Sequence, residues 1–398
     1  MRILFLHEVN YLTKPIFEMH EVPEALAKMG HEISFVHFPE GKTIREILSQ
    51  NRVEKIQGRV EKDANLNLFT PRTLGGSIIG RLLHSLTFYF QFAKILEEVK
   101  PDIVYSYSVP TSGWQALIAC KKRNIPYLFR ALDASTVIRK TIFSRLVKVA
   151  EKYIYRNADW VSANNSAMLE HVTQLGASVE RSSVEYPPVD LEHFHSKDET
   201  RDCLRSELGL APESRVILFM GSFFYFSGLP NVIRSFAQLR EKEDYFVLIG
   251  MGEQDKELRA IVKSSNLEEF VIFTGRIEFE DLPGYLSLAD VAINAFVPSM
   301  VSNTALPNKV IQYMAAGLPV VSTKLEGLVS AFGEKNKGLV FVDKPEMVIP
   351  AALRLLSEGQ NLQDLGISNK KVVESIFGKE AAVQKIQSNI QKVKDLLN

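Results

Sequence analysis

Apolar runs of strand length alternate with stretches of helical periodicity from one end of the chain to the other, and that alternation leaves few folds open. A strand that is followed by a covering helix returns parallel to itself, so the pattern predicts parallel sheets with helices on both faces. In the first half the predicted strands are Ile3–Leu6, Ile33–Phe38, Leu66–Phe69, Ile103–Ser106, Tyr127–Ala131 and Trp160–Ala163. The rhythm breaks at YPPVDLEHF, Tyr186–Phe194, where two prolines can join neither a central ladder nor a helix interior. It restarts with Val216–Met220, Tyr245–Ile249, Val271–Phe273, Val291–Ala295, Val320–Ser322 and Leu339–Val342. A chain of 398 residues exceeds what one core ordinarily supports. We therefore expect two doubly wound α/β domains, residues 1–188 and 189–378, with a polar amphipathic helix over 379–398 that packs back on the first. Two such domains facing each other would form a cleft at the carboxyl ends of both sheets, where α/β folds bind ligands.

Composition narrows the classes. Lys plus Arg and Asp plus Glu both number 47, which excludes a strongly basic nucleic-acid binder. Cys120 and Cys203 lie far apart in predicted helices and make neither a disulfide framework nor a metal knuckle. The histidines all precede residue 196 without ligand spacing, and no D-x-D triplet occurs, so no metal site is expected. A strand beginning at Arg2 leaves no room for a signal peptide, and no apolar run reaches about 18 residues. A cytoplasmic protein without a spanning segment is the expectation.

One stretch concentrates the chemistry. SNTALPNKVIQYMAAGLPVVS, Ser302–Ser322, places Lys309 in the first turn of a predicted helix. The N-terminal end of a helix is already positive, so a cation there suggests that an anion lies between them, and a diphosphate is the natural candidate. Pro307 suits the first helical position, Thr304 or Asn303 can cap, and Asn308, Lys309 and Val310 then present backbone donors. An ordinary amphipathic helix with a solvated lysine fits the same letters. Three glycine turns precede it: Gly221-Ser222 with Ser227-Gly228, Gly250 and Gly252, and Gly275-Arg276. Glycine after a strand lets backbone N–H groups approach a ligand with no Cβ in the way. Each turn is also explained as a tight strand-to-helix connection, and it is their recurrence beside Lys309 that points to a nucleotide.

The order of these motifs carries a resemblance. Met220-Gly221, VLIGMGE (Val247–Glu253), FTGRIEFEDLPGYLSLADV (Phe273–Val291), LPNKVIQYMAAGLPVVS and GLVF (Gly338–Phe341) resemble the donor domain of family 4 glycosyltransferases of the GT-B fold. MRILFLHE, Gly30-His31-Glu32, PDIVYSYS from Pro101, Ala158–Val161, Ser166 and PPVDLEHF are similar to the same family's N-terminal half. The resemblance implies transfer of a hexose or amino sugar from a nucleotide diphosphate donor, a UDP-sugar by analogy, to a lipid-linked or polysaccharide acceptor. It implies a retaining reaction with no metal or other cofactor, and the leaving phosphate taking the acceptor's proton. Gly275 and Arg276 fall where the family's main chain meets the base, and Gln312 where a glutamate usually holds the ribose. The family's paired glutamates are replaced by Thr304 and Gln312, and its arginine and lysine near the phosphates by Ser222 and Ser227. Those departures keep two alternatives open, a nucleotide-sugar 2-epimerase and a catalytically silent nucleotide-sugar-binding partner.

On the acceptor side Asp133 ends the strand PYLFRAL, where it would bond or help deprotonate a hydroxyl, or instead cap a helix beginning near Ser135. His7, Glu8, His20 and Glu21 are further cleft candidates, and Arg130 reads as structural. The basic amphipathic stretch Arg139–Arg156 and the apolar helix Gly75–Ala93 would suit an anionic membrane surface, or else simply cover the sheet.

Overall fold

The computed structural model describes residues 1–39, 52–74, 77–134, 144–195, 198–299, 302–357 and 361–396. It divides into two compact units: unit 1, Met1–Pro188 with Glu380–Asn398, and unit 2, Val189–Lys379.

Unit 1 is built from β1 (Arg2–Leu6), α1 (Glu18–Lys28), β2 (Glu32–Val36), β3 (Arg52–Gln57), β4 (Asn65–Thr70), α2 (Ile78–Val99), β5 (Ile103–Ser106), α3 (Gly113–Lys121), β6 (Tyr127–Ala131), α4 (Ser144–Asn157), β7 (Trp160–Ala163), α5 (Ser166–Gln174) and β8 (Ser182–Val184). The sheet order is β3-β4-β2-β1-β5-β6-β7-β8. Side chains alternate across a strand, and β1 shows the result. Leu4 and Leu6 join the core with Phe88, Phe92, Ala116 and Ile154, whereas Ile3 and Phe5 join the core with Met19, Val22 and Ile386. Each face therefore has its own core, and β1 reads as a continuous apolar run because both of its faces are buried.

The expectation of purely parallel pairing fails at one edge. β3 runs antiparallel to β4, with Arg52 opposite Thr70 and Gln57 opposite Asn65. As an edge strand with one neighbour, β3 can be mostly polar, and every residue of RVEKIQ is at least partly exposed.

Unit 2 continues with α6 (Asp198–Glu207), β9 (Arg215–Met220), α7 (Leu229–Leu239), β10 (Asp244–Ile249), α8 (Asp255–Ser264), β11 (Val271–Gly275), α9 (Leu282–Ser287), β12 (Val291–Asn294), α10 (Asn308–Ala315), β13 (Val320–Thr323), α11 (Glu326–Phe332), β14 (Leu339–Val342), α12 (Val348–Ser357) and α13 (Leu362–Phe377). Its sheet, β11-β10-β9-β12-β13-β14, pairs in parallel throughout. The strand order reverses between β9 and β12, and in such sheets ligands sit beyond the carboxyl ends at that reversal. In unit 1 the same reversal falls between β1 and β5.

The last helix, α14 (Lys379–Asp395), returns to unit 1. Val383, Ile386, Ile390 and Val393 recur at helical spacing and enter the core that holds Ile3 and Phe5. Burial of each such side chain is worth roughly 1.5–3 kcal/mol. A polar contact fixes the register, because Asn389 Nδ2 donates to Glu185 Oε1 at 2.6 Å. Among the described residues no helix is long and apolar enough to cross a membrane.

Candidate functional site

In unit 2 the strand ends and α10 converge on one amine. The helix starts one residue later than expected: Pro307 is the residue before the first helical one, with φ −63° and ψ 113°, and no side chain caps it. Thr304 and Asn303 are therefore not caps. The Asn303 carbonyl instead accepts from Gly327 N–H at 2.7 Å, which holds the loop before α10 against the start of α11. Val310 N–H is taken by the Pro307 carbonyl at 2.9 Å, so it is not one of the free donors expected. The N–H groups of Asn308 and Lys309 remain as the first turn's candidates. At the other end Gly317, with φ +78°, closes the helix: its N–H meets the Met314 carbonyl and Leu318 N–H meets the Tyr313 carbonyl, both at 3.0 Å. The chain then turns directly into β13.

Tyr313, one turn after Lys309, fixes the helix against the sheet, since its hydroxyl accepts Met220 N–H at 2.6 Å. Lys309 consequently lies across the end of β9. Its Nζ is 3.9 Å from the ring centroid of Phe219 and 4.5 Å from that of Phe296. The residue as a whole is half-buried, but the amine at its tip is enclosed and has no hydrogen-bond partner among the described residues. Burial pushes its pKa down to about 7. Two aromatic faces offset part of the lost hydration, yet they supply no counter-ion.

The glycine turns surround the same point. A Cβ on Gly221 would lie 2.8 Å from Lys309 Nζ, and one on Gly250 would run into the carbonyl oxygen of Gly221. Gly221 N–H donates to Ile249 O and Gly250 N–H to Gly275 O, each at 2.8 Å, so the three turns form one stepped edge. Gly252 packs against the backbone of Phe223, with no room for a Cβ. Ser222 and Asn308 are exposed, Thr304 and Gln312 half-buried and Pro307 buried. Arg276 is exposed, with its guanidinium 3.9 Å from Glu278. The structure thus joins Lys309 to Gly221 and links Gly221, Gly250 and Gly275, whereas Arg276 is exposed and turned to Glu278. Phe219, Phe296 and Tyr313 escaped the reading of the sequence. The first two look like ordinary strand residues, and only the spacing of Tyr313 from Lys309 signalled a shared helix face.

In unit 1 a pocket of about 260 Å³ lies at the reversal of strand order and is lined by His7, Glu8, Tyr107, Arg130 and Asp133 among others. Glu8 is buried there, and its carboxylate accepts the N–H groups of Thr111 at 2.7 Å and Ser112 at 3.3 Å, at the start of α3. The His7 ring stacks on Tyr107, 5.2 Å between centroids. Protein mass around Asp133 raises its pKa, but the side chain is exposed, so water limits that effect and its role rests on position. The helix start expected near Ser135, which Asp133 would cap, falls outside the described residues. Arg130 is fully buried and bidentate to Glu18, at 2.7 and 2.8 Å.

His20 is a correction: it is neither a cleft residue nor on a helix surface. It is fully buried, its Nε2 lies 2.8 Å from the Tyr11 carbonyl, and burial pushes its pKa down to about 4. Glu21 is half-buried on the same helix and does not line the pocket. Among the described residues no group of three or more His, Cys, Asp or Glu side chains could hold a metal ion.

Comparison with known proteins agrees with this arrangement. A model of "Glycosyltransferase Family 4" matches residues 19–193, and one of "Glycosyl transferases group 1" matches residues 214–358. The chain belongs to the family 4 glycosyltransferases. The D-inositol 3-phosphate glycosyltransferase of Jonesia denitrificans is 28% identical over 261 residues, 61% of this chain and 60% of that protein. The mannosylfructose-phosphate synthase of Agrobacterium fabrum is 30% identical over 194 residues, 46% of this chain and 41% of that one. The chain spans 58–62% of the length of other curated relatives that it matches. The solved structure of Anabaena Alr3699/HepE in complex with UDP aligns at a TM-score of 0.76 and 18% identity, covering 98% of this chain and 100% of that one. That likeness establishes the GT-B fold for this family 4 member, with its two Rossmann-like units.

Proposed function

We propose that this family 4 glycosyltransferase moves a hexose or amino sugar from a nucleotide diphosphate donor, bound in unit 2, to an acceptor hydroxyl in the pocket of unit 1. The observation that carries the reading is the enclosed Lys309 amine, which is desolvated beside Gly221 and has no counter-ion among the described residues. A diphosphate there would take a charge-assisted hydrogen bond from the amine and further bonds from the first turn of α10. As the bond between the anomeric carbon and the phosphate oxygen breaks, negative charge grows on the leaving group, and a fixed cation in apolar surroundings stabilises it without reorganising. The acceptor oxygen forms the new bond to the anomeric carbon and its proton passes to the leaving phosphate, so configuration is retained and no protein base is needed. Asp133, His7 and Glu8 would orient the acceptor. A UDP-sugar is preferred because the Anabaena neighbour was solved with UDP-glucose. A lipid-linked or polysaccharide acceptor, met at the inner face of a membrane, remains our reading of the acceptor side. The epimerase and silent-partner alternatives are not favoured, since relatives such as the Jonesia enzyme are named as transferases.

Donor binding should be coupled to a proton. With the free amine at about 7, most of the Lys309 side chains are neutral at pH 8, and the diphosphate favours the ammonium form. Calorimetric titration with UDP-glucose at pH 8 is expected to show uptake of about one proton, and almost none at pH 6. Apparent affinity should accordingly fall as pH rises above 7. Binding heats at pH 8 that do not depend on the buffer would rule out the pairing. Without donor the sign reverses: stability should rise with pH from about 7 to 10.5, because over that window the unfolded chain holds a proton that the folded amine has lost.

Metal independence is tested separately. Turnover in saturating EDTA is expected to match the untreated enzyme. Strict loss of activity, restored by magnesium, would overturn the assignment of leaving-group stabilisation to Lys309.

A further inference from the structure

Unit 1 has a second, larger cavity, which opens between α2, α3 and α4. Its volume is about 810 Å³, against about 260 Å³ for the polar pocket. The walls are mainly apolar, with Leu82, Trp114, Ile118 and Val149 among them. On α2 the wall residues Ile78 and Leu82 adjoin Ile79 and Leu86, which are 70% and 74% exposed. The opposite face of α2 already buries Phe88 and Phe92 in the core, so this second apolar face is not needed to hold the helix down. Exposed apolar surface of this extent marks a binding region. Much of Gly75–Ala93 is thus more than a sheet cover. In the other candidate stretch, Arg139–Arg156, residues 139–143 lie outside the described residues.

Charge specifies what would lie there. The charged residues on the cavity wall are Glu8, Lys14 and Arg81. Glu8 also lines the polar pocket, so the two cavities share a wall. Its carboxylate keeps its negative charge while accepting bonds from the start of α3, so Lys14 and Arg81, the latter lying over the Phe38 ring at 4.4 Å, leave the wall with a net positive balance of two cations against one anion. Arg145 and Lys148 are exposed on α4, the helix that supplies Val149 to the wall. A concave apolar channel with a cationic junction leading to a polar pocket matches an amphiphile with one hydrocarbon chain and an anionic head.

We propose that the groove between α2, α3 and α4 holds the hydrocarbon chain of a lipid phosphate acceptor. The phosphate lies beside Lys14 and Arg81, and the reacting hydroxyl or sugar reaches the pocket at Glu8. The inference rests on the transferase reading for the word acceptor, but binding of the chain itself does not. The concave shape and the shared wall favour a single chain over a flat bilayer surface.

Trp114 provides the test. It lines the groove, anchored by its indole N–H to the Pro110 carbonyl at 3.1 Å, whereas Trp160 belongs to the core on the other face of the sheet. A dibrominated octadecyl phosphate, added below its critical micelle concentration, is expected to quench the Trp114 emission saturably. Inorganic phosphate should leave the spectrum unchanged. Val149→Glu, at a position 67% exposed and thus tolerant of charge, should weaken the probe about tenfold while the fold is retained. Quenching by vesicles of brominated phosphatidylglycerol alone, with none from the monomeric probe, would make the face a membrane-docking surface and overturn the proposal. No quenching by either would also overturn it. Calorimetry with UDP-glucose on the same preparation separates the two readings. Intact donor binding with unquenched Trp114 removes the lipid groove only, and quenching without donor binding removes the transferase reading only.

Discussion

Replacing Lys309 by methionine is expected to lower kcat/KM for donor turnover about 10²–10³-fold, the usual effect of deleting one preorganised group that stabilises a developing anion. Methionine retains the aliphatic stem between Phe219 and Phe296 and removes only the charge. The control is built into the same variant. In the free protein the ammonium is a desolvated cation without a counter-ion among the described residues, so an apolar isostere should leave folding stability unchanged or raise it. A structural lysine would behave in the opposite way, with stability lost and the catalytic constants spared. Full activity in Lys309→Met would remove the diphosphate from this position.

The second large effect is on stability and belongs to unit 1. Arg130 is paired with Glu18 and stands 4.0 Å from Glu185, all within the interior, with Ser162 Oγ accepting a further bond at 3.3 Å. Arg130→Met leaves two carboxylates facing each other without their cation. Removing one member of a buried ion pair costs about 3–5 kcal/mol. Both tryptophans of the chain, Trp114 and Trp160, lie in unit 1, so tryptophan emission in a urea titration follows the unfolding of this unit. The midpoint should fall markedly, and Glu18→Leu added to Arg130→Met should restore part of the loss, because the pair is then replaced by apolar side chains. A loss below about 1 kcal/mol would place Arg130 among the near-neutral surface pairs despite its burial.

Central strands were legible because burial on both faces writes itself as an unbroken apolar run, as in Ile3–Leu6 and Val216–Met220. The two strands missed are the edges of the unit 1 sheet, whereas the edges of unit 2, β11 and β14, were read. Arg52–Gln57 is mostly polar, with Val53 and Ile56 three residues apart and so on opposite faces, and Ser182–Val184 is too short to carry a pattern. The site was legible where chemistry is local: glycine after a strand, and lysine in the first turn of a helix. It was not legible where partners are brought from other elements. Nothing in the letters says that Phe296 will cover Lys309, or that His20 will be sealed behind Tyr11. The one-residue error at Pro307 has a local cause, since proline serves equally well just before a helix and just inside it, and only the ψ of 113° decides.

The return of α14 to unit 1 reverses the order in which the two halves can mature on the ribosome. Unit 2 is contiguous and can close as soon as its own residues have emerged, whereas the sheet begun at Arg2 waits for Val393 to cover its second face. Throughout that interval Ile3, Phe5 and their neighbours are partly unshielded. Of the two units, the one whose strands are made earlier is therefore completed later, and it is the one that more needs protection from aggregation.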